Sequence, residues 1–261
     1  MRIAIGLEYD GGPFHGWQSQ ADGSGVQDAL ERALGAVAGH PVSAVAAGRT
    51  DAGVHATLQV VHFDSAAERP DDAWVRGVNS LLPEAIAVRW ALRVPDDFHA
   101  RFAATGRHYT YLLLDRPVRP ALLRTRVGWY HRPLAVEAMR KAAEPLLGKH
   151  DFSAFRAAEC QAKSPLKTLD RIDIVREDDM LRFDLHADAF LQHMVRNIVG
   201  ALVYVGSARQ PASWLGELLA GRDRTRAAPT FSAAGLYLSG VDYPPRWNLP
   251  ATLVPVRIPR C

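Results

Sequence analysis

Gly48-Arg49-Thr50-Asp51-Ala52-Gly53-Val54-His55-Ala56 is the most informative stretch of this chain for both fold and function. It is a polar cluster with a glycine on each side, and it leads into an apolar stretch at 58–63. Glycine lets the backbone bend and approach a ligand closely, so the pattern predicts a tight loop. Arg49 and Asp51 would share one face of an extended segment. An Asp/Thr turn fits the pattern as well as a carboxylate that a nearby cation keeps ionised as a nucleophile or base.

The segments around this loop predict an α+β fold. Apolar patterning predicts strands, which lie at 2–7, 58–63, 86–94, 109–114, 169–176, 181–187 and 236–241. Helical spacing predicts helices at 26–39, 136–147 and 194–205, with two more that start at Pro70 and Pro211. Because strands and helices do not alternate strictly, we expect a mixed, mostly antiparallel sheet with flanking helices.

Charge is distributed unevenly along the 261 residues, although the formal net charge is only +3. Residues 1–105 carry a net charge of −5, and residues 106–261 carry +8. Of the 31 basic residues 27 are Arg, and the stretch 101–140 has eight Arg and no Lys against two acidic residues. The guanidinium group matches phosphate geometry and stacks on bases, so the basic half suggests a nucleic-acid partner. GC-rich coding would produce the same excess of Arg over Lys.

Several classes of protein are disfavoured by composition. Cys160 and Cys261 form no disulfide framework or zinc-type spacing, which indicates a reducing compartment and no metal site. The longest apolar run, 198–206, is well short of the roughly 20 residues that span a membrane. No nucleotide-binding glycine loop or nucleophile elbow occurs, so no cofactor is implied. We therefore expect a soluble cytoplasmic protein.

Two further patterns supply candidate functional residues. His193 and Arg196 are three residues apart near the start of an apolar helix and would project from one face. A partly buried Arg196 needs a carboxylate or carbonyl partner, and a purely structural ion pair would meet that need. Tyr109 and Tyr111 share one face of a strand, which suits either cross-strand packing or stacking on a nucleic-acid base.

Six segments in order along the chain resemble the signatures of the tRNA pseudouridine synthase A family. They are the 48–56 loop and the segments 9–18, 107–111, 151–156, 190–200 and 234–238. The resemblance implies the pseudouridine synthase fold, with two pseudo-symmetric subdomains around a central cleft. We place these at 1–105, which carries the Asp51 loop, and at 106–261, which is basic and completes the cleft. The tail 248–261 lies outside the resemblance and has no assigned role.

The same resemblance implies isomerisation of uridine to pseudouridine at positions 38, 39 and 40 of tRNA, in the anticodon arm. Asp51 matches the family's essential aspartate, and Arg196 matches the arginine that pairs with it. Tyr109 matches the active-site tyrosine that packs on the target base. Arg49 matches a residue that holds the flipped target site, and Leu236 matches the apolar residue under the base. Whether Asp51 attacks covalently or removes a sugar proton stays open.

The resemblance also implies a homodimer whose tRNA contacts both subunits, and a reaction that needs no cofactor. Two other interpretations remain. A catalytically silent RNA-binding module would keep the cleft without needing an Asp51–Arg196 pair. A cofactor-free hydrolase would use Asp51 with His55 or His193, but the nucleophile elbow of many hydrolases is missing.

Overall fold

The computed structural model describes residues 1–250 and 252–256, which form two compact units. Of the described residues, the first unit comprises Met1–Gly106 and those from Tyr237 onward, and the second comprises Arg107–Leu236. The subdomains predicted from the sequence differ here, because they place everything after residue 105 in the second half. The difference arises because the last strand pairs with a strand of the first unit, with Tyr237 opposite His55. Within the C-terminal tail 248–261, residues 251 and 257–261, which include Cys261, lie outside the described residues.

Strands and helices follow one another irregularly along the chain. The described strands are β1 (Arg2–Tyr9), β2 (Ala44–Ala46), β3 (His55–Asp64), β4 (Ile86–Val94), β5 (Gly106–Asp115), β6 (Gly128–Tyr130), β7 (Gly148–Asp151), β8 (Leu166–Glu177), β9 (Met180–Ala187) and β10 (Leu236–Asp242). The described α-helices are α1 (Val26–Ala38), α2 (Asp71–Asn79), α3 (Val136–Ala143), α4 (Met194–Gly206) and α5 (Trp214–Gly221). Single-turn 3-10 helices lie at Glu144–Leu146, Ser153–Phe155, Arg224–Arg226, Ala233–Gly235 and Pro245–Trp247.

In the first unit the strands lie in the order β4-β1-β3-β10, and β2 pairs with β3. β1 is antiparallel to both of its neighbours, whereas β10 runs parallel to β3. α1 contacts α2 and β2, and α2 contacts β4. β1 is buried on both faces, because the Trp90 ring covers Gly6, where a Cβ would lie 2.2 Å from the indole. This arrangement leaves the loop between β2 and β3 at the end of a buried central strand.

In the second unit β5, β9, β8 and β7 form an antiparallel series, and β6 adds to β5 in parallel. α3 packs against α4 and β8, and α5 contacts the 3-10 turn at Glu144–Leu146. Helix α4 is buried over most of its length, as its apolar sequence predicts. The polar side chains of α4 are therefore few, and each of them needs a specific partner.

The strand pairings confirm the predicted α+β class, because most of them are antiparallel and helices flank the strands. β2, β6 and β7 were not predicted, because strands of three or four residues are too short to show an alternation. α3 ends at Ala143 rather than at 147, because Pro145 has no N–H to continue the helix. Within the described residues, no helix is long and apolar enough to cross a bilayer.

Candidate active site

The Asp loop, residues 48–56, runs from the end of β2 into β3 in the first unit. The Val54 N–H donates to the carbonyl oxygen of Asp51 at 3.1 Å and closes a tight turn. Gly53 has a φ of +77°, a left-handed backbone conformation that residues with a side chain rarely adopt. Gly48 has no positive φ, and a Cβ there would lie in open space. The bend therefore requires glycine at Gly53, whereas the sequence pattern predicts this role for both Gly48 and Gly53.

A buried hydrogen bond fixes the backbone that carries Asp51. The hydroxyls of Tyr9 and Thr50 are 2.8 Å apart, and both residues are buried. Burial raises the pKa of Tyr9 to about 12, so its hydroxyl stays protonated at neutral pH. The Trp17 N–H donates to the Thr50 carbonyl oxygen at 2.9 Å. With Thr50 pointing inward, Asp51 is left half-buried and Arg49 is exposed.

The N-terminal signature segment, residues 9–18, packs directly against the Asp loop. Gly16 has a φ of +91°, and a Cβ there would lie 2.9 Å from the Thr50 carbonyl oxygen. At Gly11 a Cβ would lie only 2.0 Å from the Val54 carbonyl oxygen. Both positions thus require glycine as long as the loop keeps its place. A side chain at either position would therefore displace the backbone of the Asp loop.

His55 joins the Asp loop to the signature segment and to β10. The residue is 1% exposed, and its Nδ1 lies 3.0 Å from Asp10 Oδ1 and 3.1 Å from the Gly11 nitrogen. Its ring stacks on Tyr237 with a centroid separation of 4.7 Å. These contacts hold the ring inside the unit, which weakens the hydrolase interpretation in which His55 acts as a base.

Strand β5 carries Tyr109 in the second unit. The register of β5 with β9 places Tyr109 and Tyr111 on one face, as predicted. His108 lies on the other face, where its ring centroid is 4.4 Å from that of His186. The Tyr109 ring meets Phe190 edge-on, at 5.0 Å between centroids and an interplanar angle of 80°. Phe190 therefore fixes the orientation of the Tyr109 ring.

Arg196 lies in the first turn of α4 and is half-buried. Its Nε donates to the Phe231 carbonyl oxygen at 2.8 Å, and the Phe231 N–H donates back to the Arg196 carbonyl oxygen at 3.3 Å. The expectation of a carboxylate or carbonyl partner is thus confirmed in the form of a carbonyl. His193 has a φ of +63° and precedes the first helical residue. His193 is therefore the N-cap of α4, and its carbonyl oxygen accepts the Asn197 N–H at 2.9 Å. That the His193 and Arg196 side chains share one face stays a prediction.

Leu236 is 5% exposed and begins β10. The preceding Gly235 approaches β5 so closely that a Cβ would lie 2.3 Å from the Leu112 carbonyl oxygen. In the second unit, the candidates Tyr109, Arg196 and Leu236 thus come from β5, from α4 and from the start of β10. In the first unit, the other two candidates, Arg49 and Asp51, both lie in the Asp loop.

Two residues near Arg196, Asn197 and Thr230, were not singled out as functional from the sequence. Asn197 is fully buried and donates from Nδ2 to the Phe155 carbonyl oxygen at 2.8 Å. The Thr230 hydroxyl donates to Asn197 Oδ1 at 2.7 Å. An amide inside an apolar helix signals that partners must exist. The sequence does not identify those partners, because they come from two distant segments, the 3-10 turn Ser153–Phe155 and the loop that carries Thr230.

Comparison with known proteins assigns the chain to a class. The profile described as tRNA pseudouridine synthase matches residues 7–103 and 142–244. These ranges include Asp51, Arg196 and Leu236 but not Tyr109. The protein belongs to the tRNA pseudouridine synthase family and is therefore an enzyme of the isomerase class.

Particular relatives match over the whole length. A protein of Chromobacterium violaceum named tRNA pseudouridine synthase A is 62% identical over 259 residues, which cover 99% of each chain. The protein of that name from Dechloromonas aromatica is 62% identical over 250 residues, covering 96% of this chain and 95% of the relative. A solved structure titled as a Cbf5-Nop10-Gar1 complex aligns with 92% of this chain and 48% of that chain. Its 13% identity and TM-score of 0.40 are too low to carry an argument.

Proposed function

We propose that this protein isomerises uridine to pseudouridine at positions 38, 39 and 40 of tRNA, in the anticodon stem-loop, with Asp51 as the catalytic carboxylate. Family membership and full-length relatives named tRNA pseudouridine synthase A support the reaction class. The observation that carries the assignment of Asp51 is the geometry of the Asp loop. The buried Thr50 fixes the loop, and the neighbouring carboxylate remains partly open to a substrate.

Breaking the bond between the base nitrogen N1 and the ribose carbon C1′ needs an ionised carboxylate in this scheme. Asp51 either attacks covalently or removes a sugar proton, and ionisation serves both routes. We assign to Arg196 the positive charge that keeps this carboxylate ionised. If the pair is buried, losing Arg196 costs about 3–5 kcal/mol, far more than losing one partner of an exposed pair. The carbonyl of Phe231 supports this role, because it fixes the direction of the guanidinium group.

The target uridine must leave the base stack before it reacts, at a cost of a few kcal/mol. We assign the replacement stack to the Tyr109 ring, whose orientation Phe190 holds. Leu236 supplies the apolar contact under the base. Arg49, exposed on the Asp loop, holds the flipped target site.

The Arg-rich stretch supplies a surface for the tRNA backbone. Between β5 and β6 the loop 116–127 exposes Arg119, Arg124 and Arg126. Guanidinium groups bind phosphates in a bidentate geometry, and several exposed copies on one loop suit an RNA backbone. We propose that this loop faces the tRNA.

We also propose that the enzyme acts as a cytoplasmic homodimer, with tRNA contacting both subunits. The family resemblance is the basis for this proposal. Light scattering at micromolar concentration should give twice the mass of one chain. A monomer that is fully active at that concentration would contradict the dimer.

Site-specific mapping of pseudouridine tests the proposed substrate. Unmodified tRNA transcripts with uridine at 38, 39 or 40 are incubated with the protein, and carbodiimide-dependent primer-extension stops are located. Stops are expected at those positions, and transcripts with cytidine at all three should give none. Tight tRNA binding without any product would favour the silent RNA-binding module. Product only at other tRNA positions would contradict the anticodon-arm assignment.

A further inference from the structure

The segment Ala228–Ser232, here called the strap, lies along the first turns of α4. Both backbone polar groups of Phe231 bond to Arg196, as described above. One helical turn further, a Cβ at Gly200 would lie 2.5 Å from the Pro229 carbonyl oxygen. The strap therefore touches the helix with no space between them, and its placement sets the position of the Phe231 carbonyl.

A small polar network holds the strap in this place. The Thr230 hydroxyl donates to Asn197 Oδ1 at 2.7 Å, and Arg224 donates from Nη2 to both of these oxygens at 3.1 Å. Arg224 Nη1 donates to the Ala228 carbonyl oxygen at 2.9 Å. Asn197 is itself fixed, because it is fully buried and bonded to the Phe155 carbonyl oxygen. The network thus connects a rigid point on α4 to the strap residue next to Phe231.

We propose that Thr230 and Asn197 are positioning residues for the isomerisation, acting on Arg196 through the backbone of Phe231. The inference rests on the proposed function, in which Arg196 supplies the charge beside the catalytic carboxylate. Thr230 holds the strap, the strap holds the Phe231 carbonyl, and that carbonyl sets the direction of the Arg196 guanidinium. Neither positioning residue needs to touch the substrate.

A catalytic effect and a merely structural effect differ in what they change. Displacement of a catalytic group by about 1 Å can lower the reaction rate by about 100-fold. Removal of the Thr230 hydroxyl ends two hydrogen bonds, one to Asn197 Oδ1 and one from the Arg224 guanidinium, and lowers the melting temperature while the protein stays folded. If the network positions Arg196, then kcat falls far more than this loss of stability accounts for, and tRNA binding changes little. A purely structural network would lower the melting temperature and tRNA binding together with the rate.

The direct test is Thr230→Val, which keeps the side-chain shape and removes the hydroxyl. We expect kcat to fall by about 10- to 100-fold, with the tRNA dissociation constant within about twofold of wild type. Thr230→Ser restores the hydroxyl and should recover most of kcat. Recovery by serine would assign the effect to the hydrogen bond rather than to packing of the methyl group.

Thr225→Val is the matched control. The Thr225 hydroxyl donates to Asp223 Oδ1 at 2.6 Å at the exposed start of the same loop. This variant also loses a hydrogen bond donated by a threonine hydroxyl, here an exposed bond to a carboxylate, but not one that holds Phe231. Its kcat should equal that of wild type.

Gly200→Ala tests the strap from the opposite side. Alanine favours a helix more than glycine does, so α4 itself does not lose stability by propensity. The added Cβ overlaps the Pro229 carbonyl and must displace the strap. Overpacking at this buried position also lowers the melting temperature, so the variant is compared by kcat and tRNA affinity. We expect kcat to fall as in Thr230→Val, with tRNA affinity kept.

Each outcome decides the inference. Wild-type kcat in Thr230→Val would overturn it, as would a rate loss that runs parallel with losses in melting temperature and tRNA affinity. An unchanged kcat in Gly200→Ala with the strap displaced would also overturn it. If wild-type protein forms no pseudouridine in any tRNA, the proposed function itself fails. If wild type is active and the variants are unaffected, only the inference fails.

Discussion

Arg196 and Phe231, 35 residues apart in the chain, exchange two hydrogen bonds. The Arg196 side chain donates to the Phe231 carbonyl oxygen at 2.8 Å, and the Phe231 N–H donates to the Arg196 carbonyl oxygen at 3.3 Å. A long side chain with one nitrogen held this way loses much of its rotamer freedom before substrate binds. In the proposed reaction, Arg196 is thus oriented in advance for the charge that it must stabilise.

Arg196→Lys keeps the positive charge but removes the Nε donor and the planar guanidinium. We expect kcat to fall by about 100-fold, because a displaced charge stabilises the reacting groups poorly. Affinity for tRNA should change by only a few-fold, since Arg196 is one cation among many. Single-turnover kinetics and a filter-binding isotherm measure the two quantities separately.

Arg140→Lys is a matched control for this substitution. Arg140 lies on α3 in the same unit, and its Nε donates to the Ile174 carbonyl oxygen at 2.8 Å. The substitution therefore removes a bond of the same kind away from the candidate site. Equal rate losses in Arg140→Lys and Arg196→Lys would contradict a special role for Arg196.

Tyr109→Phe retains the ring and its edge-on contact with Phe190 but removes the hydroxyl. We expect weakened turnover, by about tenfold or more if the hydroxyl takes part in proton transfer, with tRNA binding largely kept. Tyr204→Phe, in which a tyrosine stacked on Trp214 loses its hydroxyl, is the control and should match wild type. Complete loss of tRNA binding in Tyr109→Phe would indicate a mainly structural role.

Stability should depend on pH through His62 on β3. Burial, with the nearby positive charges of His99 and Arg2, lowers the pKa of His62 to about 4. Its Nδ1 accepts a hydrogen bond from the Ala100 N–H at 3.1 Å, and only an unprotonated ring nitrogen can accept one. Between about pH 6.5 and pH 4 the unfolded chain binds a proton that the folded protein does not, so folding stability falls as the pH falls. At pH 5 the expected loss relative to neutral pH is about 2 kcal/mol.

Urea unfolding at pH 7 and pH 5 measures this loss. In His62→Gln the group that titrates is gone, so the difference between the two pH values should shrink by about that amount. His131→Gln, at an exposed position of the second unit, should keep the wild-type difference. The same pH dependence in His62→Gln and wild type would contradict the assignment.

Local sequence patterns predicted most of the long elements, because their apolar periodicity extends over many residues. β4 was placed at 86–94 and is observed at Ile86–Val94. The return of β10 to the first unit was not predicted. Its pairing with β3 joins residues about 180 positions apart, and no local pattern encodes such a pairing.

In the candidate site too, the sequence predicts contiguous segments but not contacts between distant residues. The Asp loop could be singled out because its residues are contiguous and its sequence resembles a family signature. From the residue pattern, a partner of Arg196 could be predicted only as a type, a carboxylate or a carbonyl, whereas the family resemblance implies Asp51. Phe231 could not be named, because it acts through its backbone, and any residue type carries a carbonyl. Thr230 was missed because its partner Asn197 lies 33 residues away.

The most direct test of the proposed function is tritium release from tRNA that carries 5-tritiated uridine. The hydrogen at C5 leaves when C5 forms the new bond to the ribose, so release reports the isomerisation itself. Wild-type protein and the control Asp72→Asn, an exposed carboxylate on α2, are expected to release tritium at equal rates. Asp51→Ala and Asp51→Asn are expected to bind tRNA and release none above background. Turnover at the wild-type rate in Asp51→Ala would contradict the assignment of Asp51 as the catalytic carboxylate.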